Sequence, residues 1–82
     1  MGYRVAVLMG SPNDGDKMGP AAVTLERYGI DADVRVMSAH RSPTLVSEFV
    51  SGARAAGYQA IICGAGMAAH LAGAVAAQTT LP

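Results

Sequence analysis

Charge and cysteine are both scarce in this sequence, and each shortage excludes a class of protein. Charged residues make up 15% of the 82 residues, against roughly 25% in an average protein, which excludes a disordered tail, a coiled coil and a polyelectrolyte. Six basic residues balance six acidic ones, so the chain offers no electrostatic footprint for nucleic acid. The one cysteine, Cys63, excludes an intramolecular disulfide and a cysteine-based zinc site, and it fits a reducing cytoplasm.

Charge is missing altogether between residue 55 and residue 82. A membrane span needs roughly 20 apolar residues in a row, whereas this stretch is interrupted by Gln59, Gly64, Gly66, His70 and Gln78. We therefore favour burial of this stretch against partner subunits or further chain over a membrane role.

Short β-branched runs alternate with longer alanine-rich segments, which predicts the order β-α-β-α-β-α. The first run, YRVAVLM, is almost continuously apolar, as expected for a parallel strand covered on both faces. Pro20 argues against a much earlier start of the first helix, Ser42 and Pro43 begin the second helix, and Gly29 and Gly57 end the two helices. The predicted strands are residues 3–9, 32–37 and 58–63, and the predicted helices are about residues 17–28, 43–56 and 67–79.

This element order predicts one small α/β domain over residues 1–82, truncated after the third helix. Parallel strands joined by right-handed helical crossovers form an open three-layer sheet, and the flavodoxin-like strand order 2-1-3 puts the first strand in the middle. Ligands of such sheets bind beyond the carboxyl ends of the strands, where the winding reverses. Three segments meet there: residues 10–14 (the first loop), 38–42 (the second loop) and 64–67 (the third loop).

The first loop combines a glycine turn with polar side chains. Gly10 lets the chain turn off the strand, and Ser11, Asn13 and Asp14 lie beside a helix N-terminus, which favours anions. The G-x-x-x-x-G-K-[ST] pattern of a P-loop is absent. A plain capped turn, with Asp14 or Asp16 as the N-cap, is the alternative.

The second loop places His40 and Arg41 side by side after a strand. An arginine can hold a phosphate or carboxylate with two hydrogen bonds, and a histidine can give or take a proton near neutral pH. The alternative is that His40 is only a solvated or capping residue.

The third loop and the residues after it read GAGMAA, which has the form G-x-G-x-x-[GA]. No acidic residue follows Gly64, so a dinucleotide site is not indicated, and we expect the glycines to let backbone amides approach a small ligand. His70, one turn into the predicted third helix, points either to that ligand or into the core. The two histidines have no carboxylate or cysteine beside them in the sequence, so we expect no metal site.

Together, the strings MGS at 9–11, SAHRSP at 38–43 and GAGMAAHL at 64–71 resemble the three signature loops of the 5-(carboxyamino)imidazole ribonucleotide mutases, the catalytic-subunit family of phosphoribosylaminoimidazole carboxylase. The resemblance covers essentially the whole chain and extends to the closing TTLP. Family members are about twice as long, so the chain resembles their N-terminal half.

The resemblance implies a cytoplasmic isomerase of purine biosynthesis that needs neither metal nor organic cofactor and assembles as a homo-octamer. In the family's scheme, a carbamate on an aminoimidazole ribonucleotide loses CO2, and the ring carbon then attacks the trapped CO2. By motif position His40 is the catalytic proton shuttle. The implied substrate-binding residues are Ser11, Asn13, Asp14, Ser38, Ala39, Arg41, Gly64, Ala65, Gly66, His70 and Leu71, with Ser11 and Arg41 toward phosphate and Asp14 toward ribose.

The sequence departs from the family pattern at three positions. The family's first loop commonly reads G-S-x-S-D, whereas Asn13 stands here; the third loop commonly has glycine at Met67 and proline at Ala72. A family branch that uses free CO2 differs in its third loop, so the mutase branch is favoured. The alternatives are a non-catalytic nucleotide- or phosphosugar-binding module and an inactive fragment, and we expect little activity from the 82 residues alone.

Overall fold

A computed structural model of the chain describes residues 2–67 and 69–82. It confirms the predicted alternation of strands and helices. Its elements are β1 (Tyr3–Met9), a 3-10 turn (Pro12–Asp14), α1 (Gly15–Arg27), β2 (Ile30–Val36), α2 (Pro43–Ala53), β3 (Ala60–Gly64) and α3 (Leu71–Ala76).

The three strands form one parallel sheet in the order β2-β1-β3, which confirms the predicted flavodoxin-like arrangement. The register pairs Tyr3 with Ile30 on one side of β1 and Val5 with Ala60 on the other side. Because all strands run the same way, their carboxyl ends lie along one edge, and the three loops leave the sheet there.

The core lies around β1, where Val5 to Met9 are all buried. Ala6 and Leu8 pack in one cluster with Val46 and Val50 of α2 and Leu71 of α3. Side chains of a strand alternate between its two faces, so Val5, Val7 and Met9 point to the other face, where α1 contacts β1 and β2. No residue of α1 is fully buried, and that layer is therefore the more open of the two.

Several predicted boundaries are wrong, each for a local reason. α1 begins at Gly15, two residues before the prediction, because Pro20 is accommodated inside the helix at the loss of one backbone hydrogen bond. The predicted third helix, 67–79, contracts to Leu71–Ala76 because Met67 adopts a left-handed φ of 56°. β2 and β3 are displaced from the predicted ranges by about two residues at their starts, and α2 ends at Ala53.

A network of polar and charged side chains involves β1, β2 and the residue two positions before β3. Asp33 accepts hydrogen bonds from Arg35 and from the hydroxyl of Tyr58, and Arg4 approaches Asp31 and Asp33 at 3.4 and 3.6 Å. The hydrogen bonds from Arg35 and Tyr58 hold the pKa of Asp33 below its usual value. Burial and the hydrogen bond to Asp33 raise the pKa of Tyr58. The network ties β2 to the segment before β3.

Beside β3, the amide of Ile61 donates to the carbonyl of Pro82 at 2.9 Å, so residues 81–82 run along the free edge of the sheet. In the part of the chain that is described, no helix has the length and apolar character needed to cross a bilayer. The boundary of the domain at residues 1–82 stays a prediction.

Candidate functional site

The three loops come together around one cavity at the carboxyl ends of the strands, as the topology predicted. Its volume, about 420 Å³, lies within the range of roughly 300–1,000 Å³ typical of small-molecule sites. The lining residues are Gly10, Ser11, Asn13, Asp14, Ser38, Ala39, His40, Arg41, Ala65, Gly66, Met67, His70 and Leu71.

The first loop is held rigid by reciprocal capping. The Ser11 hydroxyl accepts from the amide of Asn13 at 3.2 Å, and the Ser11 amide donates to Asp14 Oδ2 at 3.1 Å. This is a capping box in the 3-10 turn, with Ser11 as N-cap and no side-chain cap hydrogen bond from Asp14 to α1. Asp14 therefore stands at the N-cap position of α1, as the capped-turn alternative expected, but the capping hydrogen bonds belong to Ser11 and the 3-10 turn. The capped turn also lines the cavity.

Asp14 also connects the first loop to the third. A Cβ built on Gly66 would lie 3.7 Å from Asp14 Oδ1. One carboxylate oxygen is therefore engaged by Ser11, and the other faces the backbone of the third loop. A hydroxyl group of a ligand entering between these loops would find an acceptor there.

The second loop is shaped by Ser38. Its hydroxyl oxygen accepts from the amides of His40 at 3.2 Å and Arg41 at 3.1 Å, and its carbonyl accepts from the amide of Ser42 at 2.8 Å. Ser38 therefore organises the turn, and its hydroxyl proton can still be donated to a ligand. Arg41 donates from Nη2 to the carbonyl of Gly10 at 3.4 Å, which turns its guanidinium toward the first loop.

His40 and His70 meet across the cavity. His40 Nε2 lies 2.8 Å from His70 Nδ1, and the rings stand edge to face with centroids 4.9 Å apart. His70 immediately precedes α3 and is exposed, so the expectation that it lies one turn into a helix is wrong, as is the alternative of a core histidine.

Gly64 is the one predicted binding residue that does not line the cavity. It ends β3, and the space beside its Cα is filled by Met18 of α1: a Cβ on Gly64 would lie 2.8 Å from Met18 Cε. Gly10 and Met67 line the cavity but were not among the predicted binding residues. Gly10 directly follows β1, and Met67 belongs to the third loop. These positions in the sequence could have indicated that both residues line the cavity.

The ionisable groups that line the cavity are Asp14, His40, Arg41 and His70. Arg41, the backbone amides and the serine hydroxyls suit a phosphate, Asp14 suits a sugar hydroxyl, and the histidines can carry a proton. Within residues 2–67 and 69–82, no three His, Cys, Asp or Glu side chains gather as a metal site would need. Cys63 lies on β3 outside the lining, and burial raises the pKa of its thiol.

Comparison with known proteins gives consistent matches. The family model described as AIR carboxylase matches residues 4–82. The N5-carboxyaminoimidazole ribonucleotide mutase of Brucella melitensis is 51% identical over 82 residues, which is 100% of this chain and 51% of the relative. Proteins of the same name from Saccharolobus solfataricus and Mycobacterium tuberculosis are 48% and 51% identical over 79 residues, 96% of this chain and 50% and 45% of theirs. The chain thus spans about half the length of the curated relatives it matches.

Proposed function

The chain belongs to the AIR carboxylase family, and we propose from this premise that it forms part of a purine-biosynthesis isomerase that converts 5-(carboxyamino)imidazole ribonucleotide to 4-carboxy-5-aminoimidazole ribonucleotide. The observation that carries the proposal is the cavity itself, in which His40 and Arg41 line the same space as Asp14 and Gly66. Residues from three separate loops thus supply a proton carrier, a cation and a hydroxyl acceptor to one small ligand.

In the proposed reaction His40 moves one proton and recovers it. The N–COO⁻ bond of the carbamate breaks, its electron pair stays on the exocyclic nitrogen, and His40 donates a proton there. The electron-rich ring carbon then attacks the released CO2, a carbon–carbon bond forms, and the proton on that carbon passes to His40. The ring is restored and the histidine ends as it began, so the conversion consumes no other reactant.

The other residues of the cavity hold the reactants together. Arg41 and Ser11 bind the phosphate and Asp14 the ribose. Ala39, Ala65 and Gly66, all lining the cavity, are small enough to let CO2 stay within reach of the ring carbon, because this chemistry needs the two reactants in near contact and shielded from water.

The test is turnover by a chimera in which these 82 residues replace the matching part of the Brucella melitensis relative. His40→Asn should lower kcat by at least about 100-fold, the usual contribution of a general acid or base. Glu48→Gln, on an exposed part of α2, is the matched control and should leave kcat unchanged. Near-normal turnover by His40→Asn would end the catalytic assignment.

Binding separates this proposal from a non-catalytic module. The chain should bind aminoimidazole ribonucleotide in preference to NAD or FMN, and Arg41→Met should weaken that binding. Preference for the dinucleotide or the flavin would favour the module.

We also propose that the protein is a cytoplasmic homo-oligomer, the family's octamer being the expected size. Exposed apolar side chains support association: Val34 and Val36 at the free edge of β2 and Leu45 on α2 are 45%, 46% and 50% exposed. Sedimentation of the chain, with Val36→Lys as the variant that should dissociate it, tests the association.

A further inference from the structure

The contact between His40 and His70 links the proton positions of the two rings. A hydrogen bond of 2.8 Å between His40 Nε2 and His70 Nδ1 requires one of these nitrogens to carry the proton and the other to accept it. The tautomers of His40 and His70 are therefore coupled, and the ring nitrogen of His40 outside this contact is Nδ1.

The backbones of His40 and His70 are held by hydrogen bonds within their own segments, whereas in the described part of the chain the only hydrogen bond of each ring is to the other ring. The His40 amide donates to Ser38 Oγ at 3.2 Å, and the His70 carbonyl accepts from Ala74 at 3.0 Å. Both side chains are exposed. Among the residues that the structure describes, the His40–His70 contact is the only hydrogen bond that either ring makes.

We propose that His70 is a positioning residue for His40: its Nδ1 holds the His40 ring in one orientation and one tautomer, so that Nδ1 of His40 faces the ligand in a defined protonation form. This inference rests on the proposed function, in which His40 carries the proton. An exposed histidine with no such partner samples both tautomers and several rotamers, and only a fraction of the molecules would then be ready to react. The edge-to-face geometry of the rings, 89°, restricts this freedom further.

The test measures the ring nitrogens directly. The sequence contains 2 histidines, so a long-range proton–nitrogen correlation spectrum of the ¹⁵N-labelled chain has four ring-nitrogen signals. At about pH 9, where histidine side chains are neutral, His40 should show one dominant tautomer. His70→Leu should shift the ratio of the two His40 tautomers about fivefold toward that of free histidine, as expected from the loss of one hydrogen bond.

Two conservative variants distinguish positioning from a general effect on the fold. An asparagine amide can take the place of His70 Nδ1, whereas a glutamine amide lies nearer the place of Nε2. His70→Asn should therefore restore the His40 tautomer, and His70→Gln should behave like His70→Leu. Far-ultraviolet circular dichroism of each variant checks that the fold is kept, which the exposure of residue 70 leads us to expect.

The proposal is overturned if His40 already shows a mixture of tautomers in the parent chain, or if its tautomer ratio is the same in the parent and in His70→Leu. It is also overturned if His70→Gln restores the ratio of the His40 tautomers as well as His70→Asn does. None of these signals needs substrate or turnover. A coupled pair of rings together with unimpaired turnover of the His40→Asn chimera would refute the proposed function and leave the coupling standing.

Discussion

Replacing Gly64 by alanine tests whether this glycine serves packing rather than a ligand. The added Cβ would lie 2.8 Å from Met18 Cε and 3.1 Å from Met18 Cγ, with Sδ nearer still. Real Cβ atoms do not approach other heavy atoms so closely, so the Met18 side chain must leave the place it now fills between α1 and the end of β3. Methionine has three rotatable bonds and can move, but it then gives up contacts in a partly buried position.

The expected cost follows from this displacement. Overpacking of a core costs about 1–3 kcal/mol, and because Met18 is flexible and only partly buried, we expect Gly64→Ala to fall at the lower end of that range. In Met18→Ala the obstacle is gone, so adding Gly64→Ala should then cost little. The coupling between the two substitutions should be about 1 kcal/mol, within the range measured for residues in contact.

Urea unfolding of the parent, the two single variants and the double variant, followed by circular dichroism, measures this coupling. Gly52→Ala is the control, because a Cβ there meets nothing within 4 Å and lies inside α2, where alanine should stabilise by roughly 0.5–1 kcal/mol. If the two substitutions are simply additive, the packing role assigned to Gly64 is refuted.

Four further predictions concern Met67, Asp33, Tyr58 and Cys63. Met67→Gly should raise the free energy of unfolding by about 1 kcal/mol. Met67 holds a left-handed φ of 56°, a conformation that costs roughly 1–2 kcal/mol in any residue other than glycine. A urea midpoint that is unchanged or lowered would contradict this prediction. The pKa of Asp33 is lowered in the folded state, so its contribution to stability is present above the ordinary value of 3.8 and is lost as the pH falls from there through the lower pKa of the folded state. The stability advantage of the parent over Asp33→Asn should therefore shrink in acid. An advantage that does not shrink at all as the pH falls below 3.8 would refute the assignment. Tyr58→Phe should cost about 1.5 kcal/mol at neutral pH, because it removes a hydrogen bond to this carboxylate. Because burial raises the pKa of Cys63, iodoacetamide should modify it slowly at pH 8 in the native chain and rapidly in urea; equal rates would show that the thiol is not protected.

The site could be located from the sequence because, in a parallel sheet, the loops that follow the strands all lie at the same edge. Once the run YRVAVLM was assigned to a strand and the alternation of strands with helices was recognised, His40 and Arg41 had to follow the second strand at the same edge as Gly10 and Gly66. The strand ends did not need to be known to better than two residues for this conclusion, and the displaced starts of β2 and β3 did not affect it.

Contacts between distant side chains could not be predicted in the same way. Nothing in the sequence near His40 indicates that its ring would meet His70, and the place of Met18 beside Gly64 depends on how α1 lies over the sheet. The late start of the third helix is a similar case: Ala68 and Ala69 favour a helix in the sequence, but Met67 adopts a left-handed backbone conformation, and the helix begins only at Leu71. Local helix propensity thus predicted that a third helix exists, but not the residues at which it begins and ends.

The central place of β1 also bears on how the three strands can come together during folding. No strand pair can form through a tight hairpin, since Tyr3 must find Ile30 and Val5 must find Ala60, and each pairing closes a loop that contains at least one helix. Such non-local pairings form slowly, because loop closure costs entropy before any contact repays it. The pairing of β1 with β2 closes a shorter segment of chain than the pairing of β1 with β3, and it brings together only the first and second loops. The third loop, which His70 follows, reaches the other two loops only when β3 docks, so the cavity is complete only after β3 has paired with β1.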